Sequence, residues 1–147
     1  MVERGFFDPG DDLAADERVM AAARPWLKNE EIRFILVHID QVDFAGHNEG
    51  GPRDERWNQA AGRADAYLAE IQNYLDLSQD VIIITSDHGH ILAGGHGGYD
   101  ADTLAEPLVL AGKGVQPGSY PDVEMVDIPT TIAALFGARL PAASQGR

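Results

Sequence analysis

The chain has 147 residues, 44% of them apolar, which suits one folded domain with one core rather than a disordered segment. Its 24 acidic residues against 11 basic ones give a net charge of −13, which repels nucleic acid and anionic membrane surfaces. Cysteine is absent, so disulfides and thiolate metal sites are excluded; no stretch reaches the ~20 apolar residues of a membrane span, and MVERGFFDPGDD lacks the basic-then-apolar pattern of a signal peptide.

In chain order, DDLAADERVMAAARPWLKNEE (11–31) predicts a helix. Asp11 or Asp12 is placed to cap it, acids crowd its first turn, and Pro25 should kink or end it. IRFILVHID (32–40) is a near-continuous apolar run, as in a strand covered on both faces, with His38 read as a core histidine. Over 53–77, Trp57, Ala61, Ala64, Leu68, Ile71 and Leu75 recur at steps of four and three, the stripe of a helix packed on a core. VIIIT (81–85) is a second buried strand and EPLVLAG (106–112) a third, with Pro107 at its start. GKGVQPGSYPD is a turn-rich loop. Asp127 then caps DIPTTIAALFG, with Pro129 in the first turn and Gly137 as the stop. Buried strands alternating with helices predict a single α/β domain over residues 1–147, with a mainly parallel sheet and flanking helices.

In such sheets ligands sit beyond the C-terminal ends of strands. Two stretches leave strand ends carrying ligand-type groups: DQVDFAGH (40–47) and SDHGHILAGGHGG (86–98). Neighbouring parallel strands would bring them together. Asp43, His47, Asp87, His88 and His96 are three imidazoles and two carboxylates, a donor set suited to zinc and also to manganese or iron. Asp43 to His47 reads as a tight loop in which Gly46 lets both side chains fold inward. Asp87 and His88 share a metal only if the chain turns, which Gly89 allows; the glycines around His96 let the backbone approach a metal or an oxyanion. Taken singly, each motif is an ordinary turn or hydrogen-bonded pair. Together at strand ends they point to a metal centre. His90 is placed to contact a substrate oxygen or to orient a ligand, and Asp40 to hold a ligand imidazole.

HIDQVDFAGHNEG, TSDHGHILAGGHGG, PLVLAGKGV and VDIPTTIAALFGARLP, in that order over about residues 32–141, resemble the alkaline phosphatase superfamily. Within it they resemble the type I phosphodiesterase/nucleotide pyrophosphatase group and its phosphoethanolamine-transferring relatives. The resemblance implies two divalent metals, commonly zinc, with manganese as the alternative, at the edge of a parallel sheet. By motif, Asp43, His47 and His96 match the ligands of one metal, and Asp87 and His88 match two ligands of the other. The short interval from His88 to His96 resembles the phosphoethanolamine-transferase-like branch. In this family the second metal also takes an Asp and a Thr or Ser nucleophile from segments that lie upstream of the equivalent of residue 1. Thr85, Ser86 and the other hydroxyls occupy different motif positions, so the catalytic nucleophile is not assigned.

The resemblance therefore implies the C-terminal portion of a catalytic domain of a phosphoester or phosphodiester hydrolase or phosphoryl transferase, acting by two-metal in-line displacement. Its substrate would be a phosphorylated small molecule or lipid headgroup. A catalytically silent metal-binding or interaction domain is the second reading. A sulfatase-like or phosphoglycerate-mutase-like member of the superfamily is the third. An exposed sheet edge and apolar face also predict self-association as a homo-oligomer, or instability, of the isolated chain, with a missing N-terminal half as the alternative partner.

Overall fold

A computed structural model describes residues 4–8, 12, 14–121, 123–140 and 142–146. The chain divides into two compact units, Met1–Lys113 and Gly114–Arg147. The first holds helices α1 (Ala15–Leu27), α2 (Gln41–Asn48), α3 (Glu55–Gln72) and the one-turn α4 (Ala101–Leu104), with strands β1 (Val81–Thr85) and β2 (Leu108–Gly112). The second holds α5 (Asp127–Leu135). No helix among the described residues is long and apolar enough to cross a membrane.

Asp12 acts at the start of α1, where its carboxylate accepts the Ala14 N–H at 2.7 Å and pairs with Arg18; Asp11 lies outside the described residues. Asp16, Met20 and Ala23 recur at steps of four and three and form the buried face. Pro25 does not end the helix but sits in its last turn, where Lys28 still donates to the Arg24 carbonyl. Arg24 also forks onto Glu70 of α3 at 2.7 and 3.0 Å, tying the two helices together.

α3 starts at Asp54, whose side chain accepts the Arg56 N–H, and turns its apolar stripe inward. Trp57, Ala61, Ala64, Leu68 and Ile71 are half-buried along it, and Ala60 beside them is fully buried. α3 packs against α2.

The sheet differs from expectation. β1 and β2 pair antiparallel, Val81 opposite Gly112 and Thr85 opposite Leu108, and form a two-stranded sheet; the mainly parallel sheet is not present among the described residues. A parallel return needs a long crossover, usually a helix of a dozen residues or more. Residues 86–107 hold a glycine-rich loop and one helical turn instead.

The run 32–40 is not in a ladder either. Ile35, Val37 and Ile39 are half-buried, while Phe34, Leu36 and His38 face outward, Leu36 being 80% exposed. The alternation is that of a strand with one covered face, so the two-face burial and the core histidine expected there are both corrected.

Asp16 shapes the entry to α2. Its carboxylate, in a residue only 3% exposed, accepts the Asp40 N–H at 2.8 Å and the Gln41 N–H at 3.3 Å. It thereby serves the first turn of α2, whose own flanking residue Asp40 makes no side-chain cap. Burial raises the Asp16 carboxyl above its ordinary range, against the pull of these two amides. The folded state therefore holds this proton more tightly than the unfolded chain does. Stability from this group is greatest at low pH and declines as pH rises through the raised value. Asp16→Asn should consequently gain on the wild type between pH 3 and 7 in urea denaturation, whereas Asp16→Ala, which orphans the amides, should cost about 1–3 kcal/mol throughout.

In the second unit, α5 begins at Asp127 itself rather than after it, and the Asp127 carboxylate accepts the Glu124 N–H at 3.0 Å. Gly137 stops the helix at φ +61°, with Gly137 N–H on the Ala134 carbonyl and Ala138 N–H on that of Ala133.

Candidate metal centre

Asp43 and His47 lie one helical turn apart on α2, so the helix, not a tight loop, puts them on one face. The chain leaves β1 at Thr85, and Gly89 donates to the Thr103 carbonyl as the loop turns. The loop then folds back on the end of α2: Gly94 donates to Ile91, and Gly95 donates to the Gly46 carbonyl at 3.1 Å. Backbone against backbone at this junction sets His96 opposite His47. The convergence of the two loops, expected from neighbouring parallel strands, is instead made by direct docking on a helix.

The result is a cluster around one oxygen. Measured from Asp43 Oδ1, the Nε2 atoms lie at 2.9 Å for His90, 3.4 Å for His96, 3.5 Å for His47 and 3.7 Å for His88. The His88 and His96 rings stack at 3.7 Å between centroids, and His47 meets His96 edge-on at 4.8 Å. Ligand atoms of Asp43, His47 and His96 all lie within 4.8 Å of one another, as do those of Asp43, His88 and His90.

A carboxylate oxygen has lone pairs for about two hydrogen bonds, and a neutral imidazole presents a bare lone pair on one nitrogen. A carboxylate oxygen only accepts, and so does an imidazole nitrogen that carries no proton, so imidazoles gathered on one such oxygen can share a cation with it. His88 Nδ1 donates to the Gly89 carbonyl at 3.1 Å, which turns Nε2, the lone-pair nitrogen of a neutral ring, toward Asp43. The donor set therefore fits divalent metal.

Of the residues singled out in the sequence, Asp43, His47, His88 and His96 come together, and His90 joins them. Asp87 stays at the rim, its side chain 67% exposed and its Oδ1 3.8 Å from His88 Nε2. Asp40 is exposed ahead of α2, and its backbone N–H goes to Asp16. Asp16 is the contributor that pattern reading missed. In sequence it is one acid in a helix start rich in them, and only its burial sets it apart.

The sequence model of the family described as type I phosphodiesterase/nucleotide pyrophosphatase matches residues 6–122. The chain belongs to this phosphodiesterase family. The family is part of the alkaline phosphatase superfamily, whose fold is α/β. The chain is similar to GPI ethanolamine phosphate transferase 3 of Schizosaccharomyces pombe, at 26% identity over 95% of this chain and 16% of that protein. It is also similar to the catalytic subunit of GPI ethanolamine phosphate transferase 2 of Homo sapiens, at 24% over 95% and 15%, and to GPI ethanolamine phosphate transferase 2 of Aspergillus fumigatus, at 24% over 95% and 21%. This phosphodiesterase-family chain thus spans 15–21% of the length of these relatives. No solved structure matches it significantly.

Proposed function

We propose that this chain supplies the metal-binding portion, C-terminal in the catalytic domain, of a phosphoester-processing site of the phosphoethanolamine-transferase type. The observation that carries the proposal is the convergence of four imidazole Nε2 atoms on Asp43 Oδ1. Asp43, His47 and His96 would hold one divalent ion, zinc being the best match to imidazole and carboxylate, with manganese the alternative. His88 would hold a second, with Asp87 reaching in from the rim. Such ions supply positive charge against phosphoryl oxygens and lower the pKa of an attacking oxygen.

The chain's own residues do the holding. α2 presents Asp43 and His47 from a rigid turn, and the docked glycine loop presents His88 and His96 from the other side. Beside His96, a Cβ on Gly97 would meet nothing within 4 Å, which leaves that side open. The relatives' names point to an ethanolamine phosphate group as the moiety handled.

Calorimetric titration of metal-free protein tests this. We expect one zinc bound tightly, a second bound more weakly, and phosphoethanolamine bound only when zinc is present. Turnover of bis-p-nitrophenyl phosphate by this chain alone should be slow. Protein that takes up no zinc, or that binds phosphoethanolamine equally well in excess chelator, contradicts the proposal.

A further inference from the structure

His90 differs from the other three imidazoles in distance, burial and packing. Its Nε2 is 2.9 Å from Asp43 Oδ1, the length of a hydrogen bond. The edge between two ligand atoms of a tetrahedral zinc site is about 3.3–3.4 Å, from bond lengths near 2.0–2.1 Å. His96 and His47, at 3.4 and 3.5 Å from the same oxygen, have that spacing and His90 does not. The His90 side chain is 6% exposed, against 23–46% for the other three. Its ring lies flush on α2 at Gly46, where a Cβ would overlap it, 2.5 Å from Nδ1.

We infer that His90 is a positioning residue: it donates Nε2–H to Asp43 and fixes the carboxylate that the metal site is built around, without itself binding metal. This rests on the metal-centre reading above. An ionised carboxylate only accepts, so the proton of this hydrogen bond sits on Nε2. Nδ1 is buried with no hydrogen-bond partner among the described residues, which a bare acceptor tolerates better than an N–H would. Gly46 is then explained. It is not a hinge for Asp43 and His47 but the gap in the helix surface into which the His90 ring fits.

The test compares zinc affinity, by competition with a chromophoric chelator, and the visible spectrum of the cobalt-loaded protein. His90→Ala should bind zinc about 10–100-fold more weakly, the usual loss when a ligand's outer partner is removed. Its cobalt spectrum should match wild type. His90→Gln, which keeps an N–H donor, should stay within a few-fold of wild type. Gly46→Ala should weaken zinc binding in the wild-type background and add little in His90→Ala, since both act through one contact. Unchanged affinity in His90→Ala, or a cobalt spectrum altered as by the loss of an imidazole ligand, overturns the inference. Metal-free wild-type protein gives an independent reading: nitrogen-15 spectra of its histidines should show His90 protonated at Nε2 alone. A His90 protonated at Nδ1 overturns the inference even if zinc binds, whereas absent zinc uptake overturns the metal-centre reading and, with it, the positioning role.

Discussion

Asp43→Ala is expected to weaken zinc binding by more than about 100-fold, beyond the 10–100-fold typical of outer partners, because it removes a ligand itself. Asp43 Oδ1 is the one atom common to all four imidazole contacts. Without it, the ligand group of Asp43 with His47 and His96 drops to two histidines, and His90 loses the carboxylate it would hold. The negative charge that offsets a dication goes with it. The side chain is partly exposed, so truncation should leave the helical signal in circular dichroism intact. Asp43→Asn separates charge from shape: it keeps one oxygen but loses the anion, and its affinity should fall between wild type and Asp43→Ala. Chelator competition reads all three proteins on one scale. Equal affinity for wild type and Asp43→Ala would show that the imidazoles bind metal without their shared oxygen.

Gly94→Ala should destabilise the first unit by at least about 2 kcal/mol and loosen the site, for two separable reasons. Gly94 has φ +93°, where an L side chain carries about 1–3 kcal/mol of strain. A methyl there would also overlap the Gly46 carbonyl oxygen and lie 2.8 Å from the Gly51 nitrogen, both backbone atoms that cannot swing aside. That junction seats the loop carrying His96 on the end of α2. Gly97→Ala is the control. Gly97 also has positive φ, at +139°, yet an added Cβ meets nothing within 4 Å. The gap between the two variants in urea denaturation isolates the docking contact. A Gly94→Ala protein no less stable than Gly97→Ala would mean that the loop does not rest on α2 in this way.

Much of the local structure was legible. VIIIT forms β1 over the predicted five residues, because a β-branched run has few alternatives. The α3 stripe and the Gly137 stop follow from helical periodicity and from the left-handed conformation glycine accepts. Strand pairing was not legible, since the direction in which β2 returns depends on what the intervening chain does in space. The α2 segment read as a loop because it is only eight residues long and contains glycine, both poor signs of a helix. Yet the Asp43–His47 spacing of four is what a helix needs to place both on one face.

Residue type and spacing singled out Asp43, His47, His88 and His96, and these four side chains lie close together in the fold. Spacing could not rank His90 against them, because what distinguishes it is 0.5 Å in distance from His96 (3.4 against 2.9 Å) and the depth of its burial. Asp87 shows the converse. Adjacent to His88 in sequence, it lies 67% exposed at the bend after β1, with its Oδ1 3.8 Å from His88 Nε2, and residue type alone gave no sign of that exposure. Asp16 was hidden among the surrounding acids until its carboxylate was seen to hold the start of α2.

Zinc K-edge X-ray absorption on protein loaded with one equivalent of zinc tests the central claim most directly. We predict a nitrogen and oxygen shell at about 2.0–2.1 Å with the outer-shell scattering of at least two imidazoles. A shell of water oxygens without imidazole scattering would contradict a metal centre built on Asp43 and its surrounding histidines.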